Sequence, residues 1–580
     1  MDNRVQRAIT QNWVKFTAHK ILNTEVVWLD QTDNLLNCNT SKTDIYKNIC
    51  RDNAYAIKDT PCFSELEFDE NDSKVLIAER YGGTGIGVNG GGGRCGNTEQ
   101  YQLKGIGANC MVGEHDDVIH KYGGLDAPLA IIETIYTNLL CVLLPLGAVR
   151  IRGIIYIGKK TAIYHHPANK CWGVIMLRDH CIRPAHLMRA PSFKPQSTYQ
   201  PVLIKDKHRV KNINKELFKH FKDNNQFILF LGKYLQNCAN QFGFARAVRL
   251  MHGTLSPSNI SMDGQWLDLP IASMLNGGIN HSLSSHFYNE HQTPLEYALE
   301  LLHGYSKYNN ALLNAAPLIN YYHEQFDAYL NHYIGYILGL DLDLLKNIKN
   351  DHWKSVSTQF IAVIHAGKHL DDRQIAATVD DPVHALIAGT FISIINLSKA
   401  EPCFALAKIP LETSIKLARS FAYTIDEIWE KQNANSSQIL RKDYFTVGSA
   451  LIALKRAYLA EVFFAPLIAK NTWDLCQEKT TDDIASFIDS YSSLAQWIFK
   501  ENDLNVYLFK AENIEIFYSM DGGTYSVKRG ENISQFQSYI ALFSALQDCD
   551  PKNFVINHFN FINYFERLYQ VIPSMEDYNN

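Results

Sequence analysis

The chain has 580 residues, of which 46% are hydrophobic and 20% charged, with a formal net charge of −5. That composition suits a globular protein with a sizeable core, and the length allows about two to four domains or one large composite one. It carries no basic excess that would make nucleic acid a main partner.

Residues 1–70 read as an N-terminal helical segment, with polar loops around 31–45. The opening stretch, MDNRVQRAITQNWVKFTAHK, mixes charges into a helical pattern without an apolar run, so no secretory signal is expected. The twelve cysteines run from Cys38 to Cys549 without a C-x-x-C pair or zinc spacing. They read as reduced thiols of a cytoplasmic protein.

From about residue 73 the texture becomes strand-like, and residues 71–183 form a strand-rich region with one long helix. SKVLIAERY leads into a glycine loop that packs nine of the 33 glycines between Gly82 and Gly96. Glycine lets a backbone approach a ligand closely but weakens regular elements, so such a loop is either a linker or folded around something. Gly85, Gly87 and Gly90 match G-x-G-x-x-G, yet further glycines follow and no helix can open there. No G-x-x-x-x-G-K-[ST] is present. EQYQLKGIG then reads as a strand carrying Lys104.

A helix starts after Asp126, a fitting N-cap, with Pro128 in its first turn. The apolar run 129–149 is interrupted by Glu133, Asn138 and Pro145, and reads as a buried helix without membrane insertion. AVRIRGIIYIG, TAIYHH and CWGVIMLRD alternate in the manner of antiparallel strands. A Pro/Lys-rich loop covers 184–210. Residues 184–400 form a mostly helical region broken at 252–280, and 401–580 a helical extension broken near 519–533. The fold class expected is α+β, in a two-lobed layout.

Phosphoryl or nucleotidyl transfer needs a glycine loop, a lysine on the phosphates, a carboxylate holding the lysine, and oxygen ligands for Mg²⁺. Lys104 follows the glycine loop. Glu133 lies amid apolar helix surface and needs a partner, for which Lys104 is the candidate. A strand lysine is ordinarily a solvated edge charge, and a helix glutamate is ordinarily on the surface. Their order after the loop is what favours the functional reading. Downstream, MHGTLSPSNISMDGQWLDLP (251–270) is read as the end of a helix at His252-Gly253, a loop to Asn259, and a short hairpin turning at Asp263-Gly264. Asn259 and Asp268 flank that hairpin and could present two oxygens to one metal, although Asp268 alone could equally be a capping residue.

YGGTGIGVNGGGG, LKGIG, MLRDHCIRPAH and HGTLSPSN…LDL together resemble the selenoprotein O group of protein kinase-like adenylyltransferases. The likeness spans roughly residues 75–275. The resemblance implies ATP and Mg²⁺ as cofactors and a nucleotide cradle of Gly85, Gly87, Gly90, Gly91, Gly92, Gly93 and Arg94. It also implies Lys104, Arg178 and Arg183 on the phosphates, Glu133 on the lysine, and Asn259 and Asp268 on the metal. Lys104, Glu133, Arg178 and Arg183 are thus the expected catalytic residues. The group's aspartate before the asparagine is Ser258 here. That departure means either a dead enzyme or an acceptor that needs no base, such as a carboxylate already ionised at neutral pH.

ERYGGTGIGVNGGGGRCGN, QLKGIGANCMVG and RPAHLMRAPSFKP are also similar to the MchC/MceJ family of microcin maturation proteins, over most of the chain. This resemblance implies ATP-dependent activation of the C-terminal carboxylate of a microcin precursor peptide for ester conjugation to a glucosylated catecholate siderophore. The partner implied is a small subunit related to toxin-activating acyltransferases. Two other readings stay open: an adenylyltransferase or kinase acting on side-chain hydroxyls, and a pseudokinase scaffold that presents the peptide.

Overall fold

The computed structural model describes residues 3–31, 41–114, 121–163, 169–275 except 202 and 222, 287–348 except 288, 351–366, 381–435, 439–500 except 479, and 504–576. The chain is mixed α+β, with one large antiparallel sheet near its start and helices over most of the remainder.

The sheet is assembled from β1 (Val14–Ile21), β2 (Glu25–Leu29), β3 (Tyr55–Ala56), β4 (Phe68–Ala78), β5 (Cys95–Asn97), β6 (Gln102–Lys104), β7 (Leu125–Asp126), β8 (Ile151–Ile163) and β9 (Lys170–Arg178). Its order is β2-β8-β9-β6-β5-β4-β1-β3, with β7 also on β9, and every pairing is antiparallel. The first helices are α1 (Asn3–Thr10), α2 (Lys42–Asn53) and α3 (Ala127–Leu143).

α3 begins as the sequence predicts. Asp126 accepts a hydrogen bond from the Leu129 amide at 3.0 Å, and Pro128 lies in the first turn. The helix stops before Leu144-Pro145, as expected where a proline restricts the preceding residue. It is apolar on nearly every face and accordingly buried, with Ile131, Ile135, Leu139 and Leu140 at 0–1% exposure. Among the described residues no helix is long and apolar enough to cross a membrane.

Four expectations are corrected. Residues 1–70 are not a helical segment, because β1 and β2 join the sheet, β1 against β4 and β2 against β8. Val14, Phe16 and Ala18 alternate at period two, and Asn23 takes a left-handed φ of 55° in the turn between the strands. Second, the segments read as separate strands at 148–158 and 161–166 are one strand, β8, with a register shift at Gly158; Tyr164–His166 lie outside the described residues. Third, His252-Gly253 does not end a helix. The helix stops at Ala247, and β10 (Leu250–Met251) pairs with β11 (Ser273–Met274). Fourth, the helical extension contains a four-stranded meander of Asn505–Ala511, Ile514–Ser519, Thr524–Arg529 and Asn532–Phe536. Two of its three hairpins turn at glycines, Gly523 and Gly530, that have positive φ.

Beyond the sheet lie α4 (Asp206–His220), which begins inside the expected 184–210 loop, α5 (Asn224–Ala247), α6 (Thr293–Asn309) and α7 (Ala316–Ile337). They are followed by α8 (Asp351–Ala366), α9 (Pro382–Ile395), α10 (Leu397–Leu406), α11 (Leu411–Asn435), α12 (Lys442–Leu459), α13 (Ala465–Glu478) and α14 (Thr481–Phe499). One hydrophobic cluster runs from α3 through these helices into the meander, so the helical part packs directly on the long sheet helix.

Candidate functional site

Lys104 ends β6, and α3 crosses behind the sheet so that Glu133 faces it. The two meet at 2.8 Å, with the lysine side chain 5% exposed and the glutamate 2%. The Lys104 ammonium also pairs with Asp268, whose side chain is 37% exposed. The expected lysine–glutamate pair is therefore present, and the carboxylate after the hairpin joins it.

Arg178 lies across the sheet from Gln102, its register partner on β6. Its guanidinium reaches Glu133 at 3.3 Å and donates twice to Gln102 Oε1, at 3.1 and 2.5 Å. Arg183 lies 3.4 Å from Glu79, donates to the same Gln102 oxygen at 3.2 Å, and donates to the Ser258 carbonyl at 3.0 Å. Both arginines come to the cluster as expected, and their forks are engaged by protein carboxylates. Arg94 is turned toward the Gly124 carbonyl at 3.2 Å.

Glu79, Gln102 and His186 are components that the sequence reading missed. Gln102 has a signal, since it lies two residues before Lys104 on one strand and shares its face. It donates to Glu79 at 2.6 Å and so ties the arginines to that carboxylate. His186 lies 3.3 Å from Glu79. Burial works to raise the Glu79 carboxyl, but Arg183, His186 and Arg178 outweigh it and hold the group down at about 2. Burial opposes ionisation of Asp268 too, yet Lys104, Arg178 and Arg94 hold it far below the usual carboxylate range.

The glycine loop divides into two parts. Gly90, Gly91, Gly92 and Gly93 do not present a free cradle. A Cβ would meet the Phe193 ring at 2.5 Å from Gly90, the Glu79 carbonyl at 1.9 Å from Gly91, and Val112 at 2.8 Å from Gly93. At Gly92 the nearest neighbour, Cys95 Cβ, would be at 3.3 Å. The amides of Gly90 and Gly92 are bonded to the Met111 and Glu79 carbonyls. These glycines serve close packing of the loop on its own sheet. Gly85 and Gly87 lie instead at an exposed tip with φ of 86° and 60°, and nothing lies within 4 Å of a Cβ at Gly87. That tip leans toward the loop after β10, where Gly85 faces Ser256 and Gly83 faces Pro257.

The expected hairpin after Asn259 is present. Leu267 donates to the Asn259 carbonyl at 3.1 Å, and Gly264 closes the turn with φ of 87°. Asp268 itself is left-handed at φ 64°. The Asn259 amide nitrogen donates to the Thr254 carbonyl at 2.8 Å, and Thr254 Oγ1 donates to the Asp268 carbonyl at 3.3 Å. Asn259 is thereby oriented with its Oδ1, which accepts from Ser258 at 3.2 Å, as the remaining ligand atom. One amide oxygen and one carboxylate fit a Mg²⁺ that draws its other ligands from phosphate and water. Among the described residues no group of three or more His, Cys, Asp or Glu side chains is placed to hold a metal by itself.

The base of this loop is fixed by a buried glutamate with no sequence signal. Glu290 accepts from the amides of His252 at 2.9 Å and Gly253 at 2.6 Å. Burial raises its carboxyl to about 7 against those two hydrogen bonds. His252, also buried, is pushed down to about 4, and its Nε2 lies 3.2 Å from the Asn259 carbonyl and 3.1 Å from that of Leu267.

No protein-family model matches the chain, and no curated protein matches it.

Proposed function

We propose that the chain is a kinase-like nucleotidyltransferase that takes ATP between its sheet and the loop after β10. The observation that carries this reading is the buried contact of Lys104 with Glu133 and Asp268. A lysine on the third strand of the β4-β5-β6 run, paired to a glutamate on the following helix, is the arrangement that holds phosphates in protein kinases. The exposed Gly85–Gly87 tip would cover the phosphates, and Lys104, Arg178 and Arg183 would stabilise charge on them. Asn259 and Asp268 would hold Mg²⁺, which when bound would neutralise phosphate charge.

The acceptor in this reading is a carboxylate, because Ser258 stands where a hydroxyl acceptor would need a base. The carboxylate oxygen would attack the α-phosphorus. The bond from that phosphorus to the bridging oxygen would break, and pyrophosphate would leave to give an acyl-adenylate. The resemblance to the microcin maturation family names the carboxylate as a precursor peptide's C-terminus and the nucleophile that follows as a siderophore sugar hydroxyl.

The test mixes the protein, the small acyltransferase-like partner, the peptide and ATP, and identifies nucleotide products and peptide adducts by mass spectrometry. AMP and pyrophosphate are expected only with a free peptide C-terminus; an amidated peptide should release neither. ADP and inorganic phosphate would overturn adenylylation. A scaffold reading is favoured by one observation, the capture of the Gly90 and Gly92 amides by protein carbonyls. Failure of the isolated protein to bind ATP in a calorimetric titration would decide for it.

A further inference from the structure

A cavity of about 1150 Å³ lies away from the charge cluster, between the end of β2, the C-terminal half of α3, α7 and α14. It is large for a small-molecule site, which typically spans about 300–1,000 Å³. α14 contributes a polar stripe, Asp489, Ser492, Ser493 and Gln496, at the i, i+3, i+4, i+7 spacing of one helix face. The opposite face, with Ile484, Ile488 and Leu494, is buried in the core. α7 contributes Tyr329 and Tyr333, whose rings stack at 6.2 Å.

Asp489 is the distinctive group in this wall. Its carboxylate accepts from Trp28 Nε1 at 2.8 Å and from Gln31 Nε2 at 3.3 Å, both neutral donors. Burial raises its pKa against those two bonds and the charge of Lys42, so the charged form is only partly compensated. Of the four lysines and arginines in the wall, Arg456 donates to the Tyr336 carbonyl at 2.5 Å, Lys346 pairs with Asp343 at 2.7 Å, and Arg150 lies 3.8 Å from Asp30, while Lys500 follows the C-terminal end of α14, three turns beyond Asp489. The lining includes the amides of Asn138, Asn240 and Gln496, groups that both donate and accept as peptide groups do; Asn138 donates to Ser492 at 3.0 Å and Asn240 accepts from Tyr333 at 2.6 Å, which leaves each a further donor or acceptor. Tyrosine with serine and asparagine is the side-chain set that protein-binding surfaces use for adaptable contact.

We propose that this cavity binds a polypeptide segment carrying a lysine or arginine, whose stem lies along the tyrosine rings and whose charged head pairs with Asp489. A basic stem covers apolar ring surface while its head seeks a carboxylate. The site is separate from the nucleotide cluster and does not depend on that reading.

The test pans full-length protein against a displayed library of random-sequence peptides and measures selected peptides by fluorescence anisotropy. Binders should share a basic residue, and replacing it by glutamine should weaken binding about tenfold or more. Asp489→Asn should do the same, Ser493→Trp should block the cavity, and Lys104→Ala should leave affinity unchanged. Melting curves near wild type would show both cavity variants to be folded. A selection that returns no binder, or binders indifferent to Asp489→Asn and Ser493→Trp, would overturn the proposal. So would spermidine binding in the cavity without any peptide binding, which would make the occupant a free polyamine.

Discussion

Glu290→Gln should change how stability depends on pH. Glu290 is 5% exposed, and its two hydrogen-bond donors are the amides at the start of the loop that carries Asn259. Its carboxyl is raised from 4.5 to about 7 by burial. Below the unfolded value both states are protonated. Between the two values the native state keeps a proton that the unfolded chain releases, so stability falls as pH rises and levels off above the folded value. A shift of that size corresponds to roughly 3 kcal/mol, at about 1.4 kcal/mol per unit. Glutamine cannot ionise and should remove this slope. Melting temperatures of wild type and variant, measured across the interval from the unfolded to the folded value and above it, give the comparison. The wild-type curve should decline relative to the variant through the interval and then run parallel to it. Curves parallel throughout would refute the reasoning, because the two amide hydrogen bonds would then have offset burial and kept Glu290 ionised.

Other outcomes follow from the charge cluster. Lys104→Ala and Asp268→Ala should each lower the rate of peptide-dependent pyrophosphate release by about 10²–10³-fold, the scale for losing one charge-stabilising contact, while circular dichroism stays native. Glu133→Gln should cost less than loss of Lys104, since Glu133 only positions the lysine and the ammonium remains; nucleotide affinity by calorimetry should fall, and an unchanged value would exclude Glu133 from the site. Cys95→Ser should retain turnover in the same pyrophosphate assay, because burial raises the Cys95 thiol and leaves it no thiolate to act as a nucleophile.

The local features of the site were legible where chemistry and spacing coincide within a few residues. Asp126 and Pro128 start α3, Asp263-Gly264 turns the hairpin, and Glu133 in an apolar helix demands a cation. The strands of residues 14–29 were not read, because their alternation is short and lies beside a helical opening, so the helical period dominates the reading. Glu290 could not be read from sequence, since its partners lie 37 and 38 residues away and are backbone amides. The glycine tract was misread in part for a related reason. A glycine needed for close approach to a ligand and one needed to pass Phe193 or the Glu79 carbonyl look the same until the chain is folded.

The cluster joins three cations, Lys104, Arg178 and Arg183, to three carboxylates, Glu79, Glu133 and Asp268. Buried ion pairs add little net stability, because desolvation offsets much of their attraction. The arrangement is better understood through what could separate it. Glu79 and Glu133 are 1–2% exposed and anchored through Gln102 and the arginines, so they have no route to a ligand. Asp268 is the partly exposed member, set beside Asn259 by the hairpin. If Mg²⁺ took Asp268, Lys104 would lose one of its two carboxylates and present its ammonium to phosphate, with Glu133 still holding its position. In the absence of nucleotide the Asp268 contact would then keep the lysine neutralised, and Asp268→Asn should raise affinity for phosphate anions without metal while abolishing the gain that Mg²⁺ brings. Titration of pyrophosphate with and without Mg²⁺ measures both effects, and equal metal dependence in the two proteins would place the metal elsewhere.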